Sequence, residues 1–383
     1  MTDRLHEDIV AVTVPKWGLS MEDGAIVEWH VAEGDSVKDG QDLLDIETSK
    51  ITNTVESSAS GVFRRLVEEA GSHVYVGQLI GVIAPESVSS ELIDEYVETF
   101  QKHYVPPDAR EIEESNAKFL ETDQYRIHYL SIENPESQHR PVILIHGFGG
   151  DCNNWMFNLV ELGKTLPVFA PDLPGHGASG KSLESGSLAE LATTVLAFID
   201  ALHLATVDLV GHSLGAAVAM QIAETQPHRV ASLALIAPAG LGAEINNTYI
   251  REFIDGKNRR ELKNTLGLLF ADKTLVSRDM VNDVLKYKRI DGVTEALTQI
   301  ADSNFPDGKQ RHSFRHALGS GVAVPTLIVW GDQDEVADPD HSRGLGENIE
   351  VELIEGSGHM PHMEAASRVN GILLSHLVTE KHT

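Results

Sequence analysis

Residues 205–224 read ATVDLVGHSLGAAVAMQIAE. The half that ends at His212 is an apolar run rich in valine and leucine, which predicts a buried strand. The half that begins at Leu214 is alanine-rich with helical patterning, so it predicts a helix that follows the strand directly. The GHSLG motif between them puts Ser213 on a tight turn, where only small flanking residues fit. This stretch therefore predicts a serine that stands clear at a helix N-terminus, where the helix dipole favours negative charge.

Further apolar runs on both sides of this stretch alternate with helical patterns. They read PVILIHG, PVFAPDL, ASLALIAP and PTLIVWGD, at residues 141–147, 167–173, 231–238 and 325–332. Near-continuous apolar strands that alternate with helices are typical of a parallel sheet covered on both faces. From about residue 119 onward, the chain is therefore predicted to form an α/β domain.

The serine needs a base and an orienting acid, because a hydroxyl alone is a poor nucleophile. The base candidate is His359 in GSGHMPHMEA, and His362 is the nearby alternative. The acid candidate is Asp334 in WGDQDEVADP, just past a predicted strand, and Asp332 is its alternative. The order serine, aspartate, histidine along the chain is the one used by α/β-hydrolases.

The motif HGFGG at residues 146–150 is a candidate oxyanion loop. We expect the backbone N–H groups of Phe148 and Leu214 to hold a developing oxyanion. Cys152 follows this loop, but no motif makes it a nucleophile. His359 and His362 have no third ligand at a suitable spacing, so we predict no metal site.

These motifs, together with DLPGHGAS at residues 172–179, resemble those of the α/β-hydrolase family. Relatives carry a lid over the active site, inserted between late strands. Residues 241 to about 320 have helical patterning at the corresponding place. The resemblance therefore implies a helical cap at about 241–320.

A second pattern overlaps the same region. Residues 175–182, GHGASGKS, fit the phosphate-loop pattern G-x-x-x-x-G-K-S. A true phosphate loop enters a helix at its Lys-Ser pair, whereas here LESG follows and the pattern predicts that a helix begins at Ser187. We therefore assign this loop to the hydrolase pattern and not to nucleotide binding.

The N-terminal part of the chain contains an internal repeat. Residues 24–46 and 61–83 match when one is shifted by 37 positions. The matching glycines are Gly24 with Gly61, Gly34 with Gly71, and Gly40 with Gly77. Short β-branched stretches separated by glycines predict antiparallel strands and turns in each half. We expect a small pseudo-symmetric all-β sandwich of two sheets, with Lys50 at an exposed hairpin tip between the halves.

Four motifs in this part resemble those of lipoyl domains: PKWGLSMEDG at 15–24, EGD at 33–35, ETSK at 47–50 and SGV at 60–62. In that family the tip lysine carries lipoic acid in amide linkage, so the resemblance implies lipoylation of Lys50. Family members often have Asp-Lys-Ala at the tip, where this chain has Ser-Lys-Ile. Biotin-carrying domains share the fold but typically have Met-Lys-Met, which is absent here.

The domains are expected at residues 1–84 (lipoyl), 85–118 (acidic linker) and 119–383 (α/β-hydrolase fold). Apolar linker residues follow helical spacing: Leu92, Ile93, Tyr96, Val97 and Phe100. They predict an amphipathic helix, which we expect to pack on the second domain. Recognition of a partner subunit is the alternative, although the basic, glycine-rich motif of subunit-binding domains is missing.

The bulk composition limits the function. The formal net charge of −28 opposes binding to nucleic acid and to anionic membranes. The chain has a single cysteine, so we expect a reducing compartment. No apolar leader or membrane-length apolar run is present, and we expect a cytoplasmic protein.

Together, the two domains resemble the acyltransferase components of acetoin dehydrogenase complexes. The His-x-x-x-Asp-Gly motif of the usual lipoyl acyltransferases is absent. The resemblance implies transfer of an acetyl group from the arm on Lys50 to coenzyme A, through acetyl-Ser213 or by direct thiol attack. It also implies thiamin-diphosphate-dependent acetoin dehydrogenase subunits and dihydrolipoamide dehydrogenase as partners, in a homo-oligomeric assembly. A serine thioester or ester hydrolase with a lipoyl appendage, or a non-catalytic lipoyl carrier, remain alternatives.

Overall fold

The computed structural model describes residues 9–15, 23–47, 52–104, 117–320, 324–346 and 349–378. The chain divides into two units, Met1–Ile112 and Glu113–Thr383. The division falls within the stretch that was expected to be a linker, residues 85–118.

The first unit consists mainly of short antiparallel strands. They are β1 (Val10–Thr13), β2 (Asp23–Trp29), β3 (Ser36–Val37), β4 (Asp42–Glu47), β5 (Thr52–Glu56), β6 (Gly61–Leu66), β7 (His73–Tyr75) and β8 (Leu79–Ala84). They form two four-stranded sheets with the orders β1-β8-β6-β3 and β5-β4-β2-β7. Apolar side chains from both sheets, such as Ile26, Leu44 and Phe63, form one core between them. The predicted all-β sandwich is confirmed.

The internal repeat is also visible in the backbone. Strands β2, β3 and β4 of the first half correspond to β6, β7 and β8 of the second. Gly34 and Gly71 both have positive φ angles, of 96° and 90°. Gly40 and Gly77 form a second such pair, at 75° and 79°. Because these left-handed turns favour glycine, the two halves share the residues that reverse the chain.

A helix, Ser90–His103, follows the sandwich. Its N-cap is Ser89, whose side chain accepts a hydrogen bond from the Leu92 N–H group. Its apolar face packs against the first unit, because Ile93 belongs to the same buried cluster as Leu79 and Val82 of β8, and Ala11 of β1 packs against that cluster. The expectation that this face packs on the second domain is therefore wrong. Periodicity predicted the apolar stripe correctly but carried no information about the surface that receives it.

The second unit is built on an eight-stranded sheet with the order β16-β15-β14-β13-β11-β12-β10-β9. The strands are β9 (Ala117–Glu121), β10 (Arg126–Ile132), β11 (Val142–Ile145), β12 (Val168–Pro171), β13 (Val207–His212), β14 (Val230–Ile236), β15 (Thr326–Gly331) and β16 (Ile349–Ile354). Strands β11 to β16 pair in parallel, whereas β10 is antiparallel to both of its neighbours. Parallel strands end at the same edge of a sheet, so the loops after β13, β15 and β16 all lie at that edge.

Helices cover both faces of this sheet. They are Met156–Gly163, Leu188–Ala201, Leu214–Thr225, Pro361–Glu364 and Ala366–Val378. Successive residues of one strand point to opposite faces of the sheet and enter different cores. Leu209 packs with the helix Leu188–Ala201, and Val210 packs with the helix Ala366–Val378. This two-sided burial explains why the strands read as continuous apolar runs.

Helices inserted between β14 and β15 form a cap. They are Asn247–Asp255, Arg259–Gly267, Arg278–Tyr287, Val293–Asn304 and Arg315–Ser320. The fold is therefore an α/β-hydrolase-type sheet with a helical insertion, as the sequence predicted. Among the helices described, none combines the length and apolar character needed to cross a bilayer.

Candidate active site

Ser213 lies on the turn between β13 and the helix Leu214–Thr225. Its φ angle is 52°, a left-handed value that a residue with a Cβ adopts at a cost of about 1–3 kcal/mol. The backbone is held on both sides, because the Ser213 N–H donates to Ile236 O (2.9 Å) and Ala239 N–H donates to Ser213 O (3.1 Å). The predicted strand-serine-helix turn is therefore present, and its strain is balanced by fixed hydrogen bonds.

The turn is possible only because its flanking residues are glycines. A Cβ atom on Gly211 would lie 2.5 Å from Gly215 O and 2.6 Å from Ala216 N. A Cβ atom on Gly215 would lie 2.2 Å from Ile145 O. These are backbone atoms that cannot move aside, so both positions require glycine.

We expect Gly211→Ala to lower the free energy of unfolding by about 1–3 kcal/mol, because the added methyl group overpacks the turn. Gly371→Ala is the matched control, since a Cβ on this helical residue meets nothing within 4 Å. That substitution should be stabilising by about 0.5–1 kcal/mol. Denaturant unfolding of both variants measures the difference, and a neutral Gly211→Ala would contradict the close approach at this turn.

His359 and Asp334 form a buried pair. The distance between His359 Nδ1 and Asp334 Oδ2 is 2.7 Å, and the two side chains are 2% and 0% exposed. An ionised carboxylate can only accept, so Nδ1 carries the proton and Nε2 is left as the basic nitrogen. The alternative acid, Asp332, lies elsewhere, and its carboxylate accepts a hydrogen bond from the Gly356 N–H.

Residues around Asp334 fix its carboxylate in a way that the sequence did not reveal. Asp334 Oδ1 accepts from the N–H groups of Val336 (2.7 Å) and Ala337 (2.9 Å). Asp334 Oδ2 accepts from the Trp330 indole (2.9 Å) as well as from His359. Four donors hold one carboxylate, so the imidazole it orients has little freedom.

A second histidine, His212, supports the loop that carries His359. Its Nε2 atom donates to His359 O at 2.9 Å, and the two rings lie 4.8 Å apart. His362, the alternative base, is buried against His212 and the indole ring of Trp155, at 4.7 and 4.6 Å. Burial lowers the pKa of His362 to about 3 and that of His212 well below its ordinary value, so both rings stay neutral beside His359.

The predicted oxyanion donors, Phe148 and Leu214, flank the same edge of the sheet. Phe148 follows β11, and Leu214 is the first residue of the helix after Ser213. Within the ranges that the structure describes, neither of their backbone N–H groups makes a hydrogen bond to the protein. Both remain available to a ligand oxygen, which is what an oxyanion hole requires.

The cap helix Asn247–Asp255 lies directly on the oxyanion loop. The Tyr249 hydroxyl group donates a hydrogen bond to Phe148 O (3.3 Å), and the Phe253 ring lies 6.0 Å from the Phe148 ring. Gly149 has a φ angle of 73°, and a Cβ there would lie 2.4 Å from the Phe253 ring. The cap thus covers the loop that carries a predicted oxyanion donor.

Lys50 lies outside the described residues. The strands that precede and follow it are paired, with Glu47 opposite Thr52 at the end of the β4–β5 ladder. Residues 48–51 therefore connect two adjacent antiparallel strands.

In the loop that fits the phosphate-loop pattern, residues 175–182, the side chain of Lys181 binds backbone carbonyl groups of the same loop. Lys181 Nζ donates to the carbonyl oxygens of His176 (3.0 Å) and Gly177 (2.8 Å), and also to that of Ser179. The next helix begins only at Leu188, with Ser187 as its N-cap. A lysine engaged by three carbonyl groups leaves no cradle for a nucleotide phosphate, which agrees with the sequence-based assignment.

Cys152 contacts a separate polar cluster. Its N–H donates to Asp172 Oδ1 (2.7 Å), and its Sγ atom lies 3.7 Å from His128 Nδ1. His128 Nδ1 in turn lies 2.7 Å from Asp172 Oδ2. Burial raises the pKa of the Cys152 thiol well above its ordinary value, so the thiol stays neutral and is a poor nucleophile.

Two family models match the chain. The model described as alpha/beta hydrolase fold matches residues 140–366, and the model described as biotin-requiring enzyme matches residues 10–83. Among solved structures, a meta-cleavage product hydrolase from Pseudomonas fluorescens IP01 matches with a TM-score of 0.61 at 21% identity. That match covers 68% of this chain and 96% of the hydrolase, and it supports the fold alone.

The fold and the site thus define a class: a lipoyl-type domain joined to an α/β-hydrolase domain with a buried histidine–aspartate pair. Two curated relatives named "Dihydrolipoyllysine-residue acetyltransferase component of acetoin cleaving system" match nearly the whole chain. The protein from Cupriavidus necator is 40% identical over 98% of this chain and 100% of its own length. The protein from Pseudomonas putida is 42% identical over 96% and 98%, respectively. The chain belongs to the family of dihydrolipoyllysine-residue acetyltransferase components of acetoin cleaving systems.

Proposed function

We propose that this protein transfers an acetyl group from a lipoyl arm on Lys50 to coenzyme A during acetoin catabolism. The observation that carries the proposal is the near-full-length similarity to relatives named for this acetyl transfer. It extends over both parts that the reaction needs, the lipoyl-type domain with Lys50 and the domain with Ser213. Neither part alone indicates a transferase, because hydrolases share the second and many carriers share the first.

The residues present fit a lipoyl group. The match to the biotinyl/lipoyl model spans residues 10–83, and the β4–β5 pairing makes residues 48–51 the connection at the end of a ladder. Lys50 would hold the group in amide linkage, and when bound the group carries the acetyl unit as a thioester. A long covalent arm raises the effective concentration of this substrate at each active site that it visits.

In the second domain we assign the nucleophile to Ser213. His359 Nε2 removes the hydroxyl proton while Asp334 holds the protonated imidazole in place through Nδ1. Ser213 Oγ attacks the thioester carbonyl carbon, and the Phe148 and Leu214 N–H groups stabilise the oxyanion. The sulfur leaves with the proton from His359. The coenzyme A thiol then attacks acetyl-Ser213 in the same way and releases acetyl-coenzyme A.

We also propose the partners that this cycle requires. Thiamin-diphosphate-dependent acetoin dehydrogenase subunits would load the acetyl group, and dihydrolipoamide dehydrogenase would reoxidise the arm. The working assembly is proposed to be homo-oligomeric and cytoplasmic. The single cysteine of the chain is consistent with a reducing compartment.

Product analysis tests the proposed activity. The purified full-length protein is mixed with S-acetyl-dihydrolipoamide, with and without coenzyme A, and both acetate and acetyl-coenzyme A are measured. We expect acetyl-coenzyme A as the main product, with slow acetate release when coenzyme A is left out. Acetate as the main product in both cases would instead support the thioester hydrolase.

A further inference from the structure

One carboxylate joins the loop of His359 to the cap. Glu364 is the last residue of the helix Pro361–Glu364, which begins two residues after His359. Its Oε1 atom accepts a hydrogen bond from the Gly358 N–H (2.7 Å), and its Oε2 atom accepts one from the Ala271 N–H (2.9 Å). Ala271 belongs to the cap, between the helices Arg259–Gly267 and Arg278–Tyr287.

The two backbones meet directly at this point. A Cβ atom on Gly358 would lie 2.7 Å from Ala271 N and 2.9 Å from Leu269 O. Even a methyl group on Gly358 would collide with the backbone of the cap. The cap and the His359 loop are therefore in direct contact beside the general base. We call this contact, between residues 269–271 and Gly358, the seam, and Glu364 spans it.

Other links join the cap to the loop that follows β15. Lys273 of the cap forms an ion pair with Glu335 at 2.8 Å, but both side chains are about half exposed, so water screens the pair. Asn246 donates to Glu335 O at 2.8 Å. Glu364 is half-buried and accepts from both sides of the seam, and an ionised carboxylate gives the stronger, charge-assisted kind of hydrogen bond.

Two opposing effects act on the Glu364 carboxyl group, and burial is the larger of them. Burial raises the pKa of its carboxyl group, whereas hydrogen bonds from backbone N–H groups, including those of Gly358 and Ala271, favour the charged form. An amide side chain would offer only one accepting oxygen, and its NH2 group would face an N–H donor. The site is therefore built for a carboxylate rather than for a polar residue in general.

We propose that Glu364 is a positioning residue that keeps the cap segment 269–271 against the His359 loop and so excludes water from acetyl-Ser213. The inference rests on the proposed function. At acetyl-Ser213 two nucleophiles compete for the same carbonyl carbon, and each breaks the bond to Ser213 Oγ. The coenzyme A thiol forms a C–S bond and gives acetyl-coenzyme A, whereas water forms a C–O bond and gives acetate. In both cases His359 moves the proton from the nucleophile to Ser213 Oγ.

The test compares two substitutions with a matched control. Glu364→Gln and Glu364→Ala remove one or both accepted hydrogen bonds to the seam. Asp332→Asn is the control, because Asp332 also accepts from an N–H group of the His359 loop, that of Gly356, but from no cap residue among those described. Each full-length variant is given S-acetyl-dihydrolipoamide and coenzyme A, and the ratio of acetate to acetyl-coenzyme A is measured beside the thermal midpoint.

We expect the acetate ratio to rise about tenfold in Glu364→Gln, and further in Glu364→Ala, while the control keeps the wild-type ratio. A wild-type ratio in folded Glu364→Gln would overturn the inference, as would an equal rise in the control. These outcomes differ from failure of the proposed function, in which the wild-type protein itself makes no acetyl-coenzyme A.

Discussion

Ser213→Ala is expected to lower kcat for acetyl transfer by roughly 10³-fold or more, because the oxyanion donors and the His359–Asp334 pair then lack a nucleophile. The change removes one oxygen atom from a side chain that is 5% exposed, and alanine is small enough for the turn. The fold should therefore be unaffected. The measurement is the rate of acetyl-coenzyme A formation from S-acetyl-dihydrolipoamide, together with the thermal midpoint of the variant.

Mass spectrometry of the stalled reaction adds the decisive observation. Wild-type protein mixed with the acetyl donor in the absence of coenzyme A should accumulate acetyl-Ser213, and Ser213→Ala should accumulate none. Ser313→Ala, which removes an exposed hydroxyl group of the same domain, is the background control. Transfer that survives in Ser213→Ala without a trapped acetyl group would support direct thiol attack within the oxyanion hole. Unchanged transfer at the full wild-type rate would leave Ser213 without a role.

The turn of Ser213 could be predicted from sequence because its causes are local. A strand, a turn that only glycines allow and a helix follow one another within residues 205–224, and steric contacts at Gly211 and Gly215 explain the motif. The pairing of His359 with Asp334 could also be predicted, since parallel strands bring their following loops to one edge. The structure places these two side chains 2.7 Å apart.

Contacts between distant segments could not be predicted in this way. Glu364 and Ala271 are far apart in sequence, and nothing in either segment indicates that a helical insertion returns to the His359 loop. In the sequence, Trp330 is indistinguishable from the other apolar residues of its strand, although its indole N–H donates a hydrogen bond to Asp334. The helix Ser90–His103 is a further example. Its apolar stripe predicts that one face of the helix is buried, but not which surface covers that face.

Lys50→Arg is expected to abolish acetyl transfer that depends on the protein's own arm. Arginine keeps the positive charge at position 50 but has no primary amine for an amide bond, so no lipoyl group can be attached. Intact mass of protein from lipoate-replete cells should show the lipoyl increment for wild type and none for the variant. Coupled turnover of acetoin with the partner enzymes should fall to background.

The same variant separates the two halves of the proposal. Because Ser213 and its neighbours lie in the other unit, Lys50→Arg should retain near wild-type turnover of free S-acetyl-dihydrolipoamide, without the concentration advantage of a tethered arm. Lys38→Arg changes an exposed lysine between β3 and β4 and should keep both the lipoyl increment and coupled activity. A bare Lys50 amine in wild-type protein from lipoate-replete cells would remove the donor from the mechanism. The α/β-hydrolase domain would then be left to act on thioesters or esters that diffuse to it.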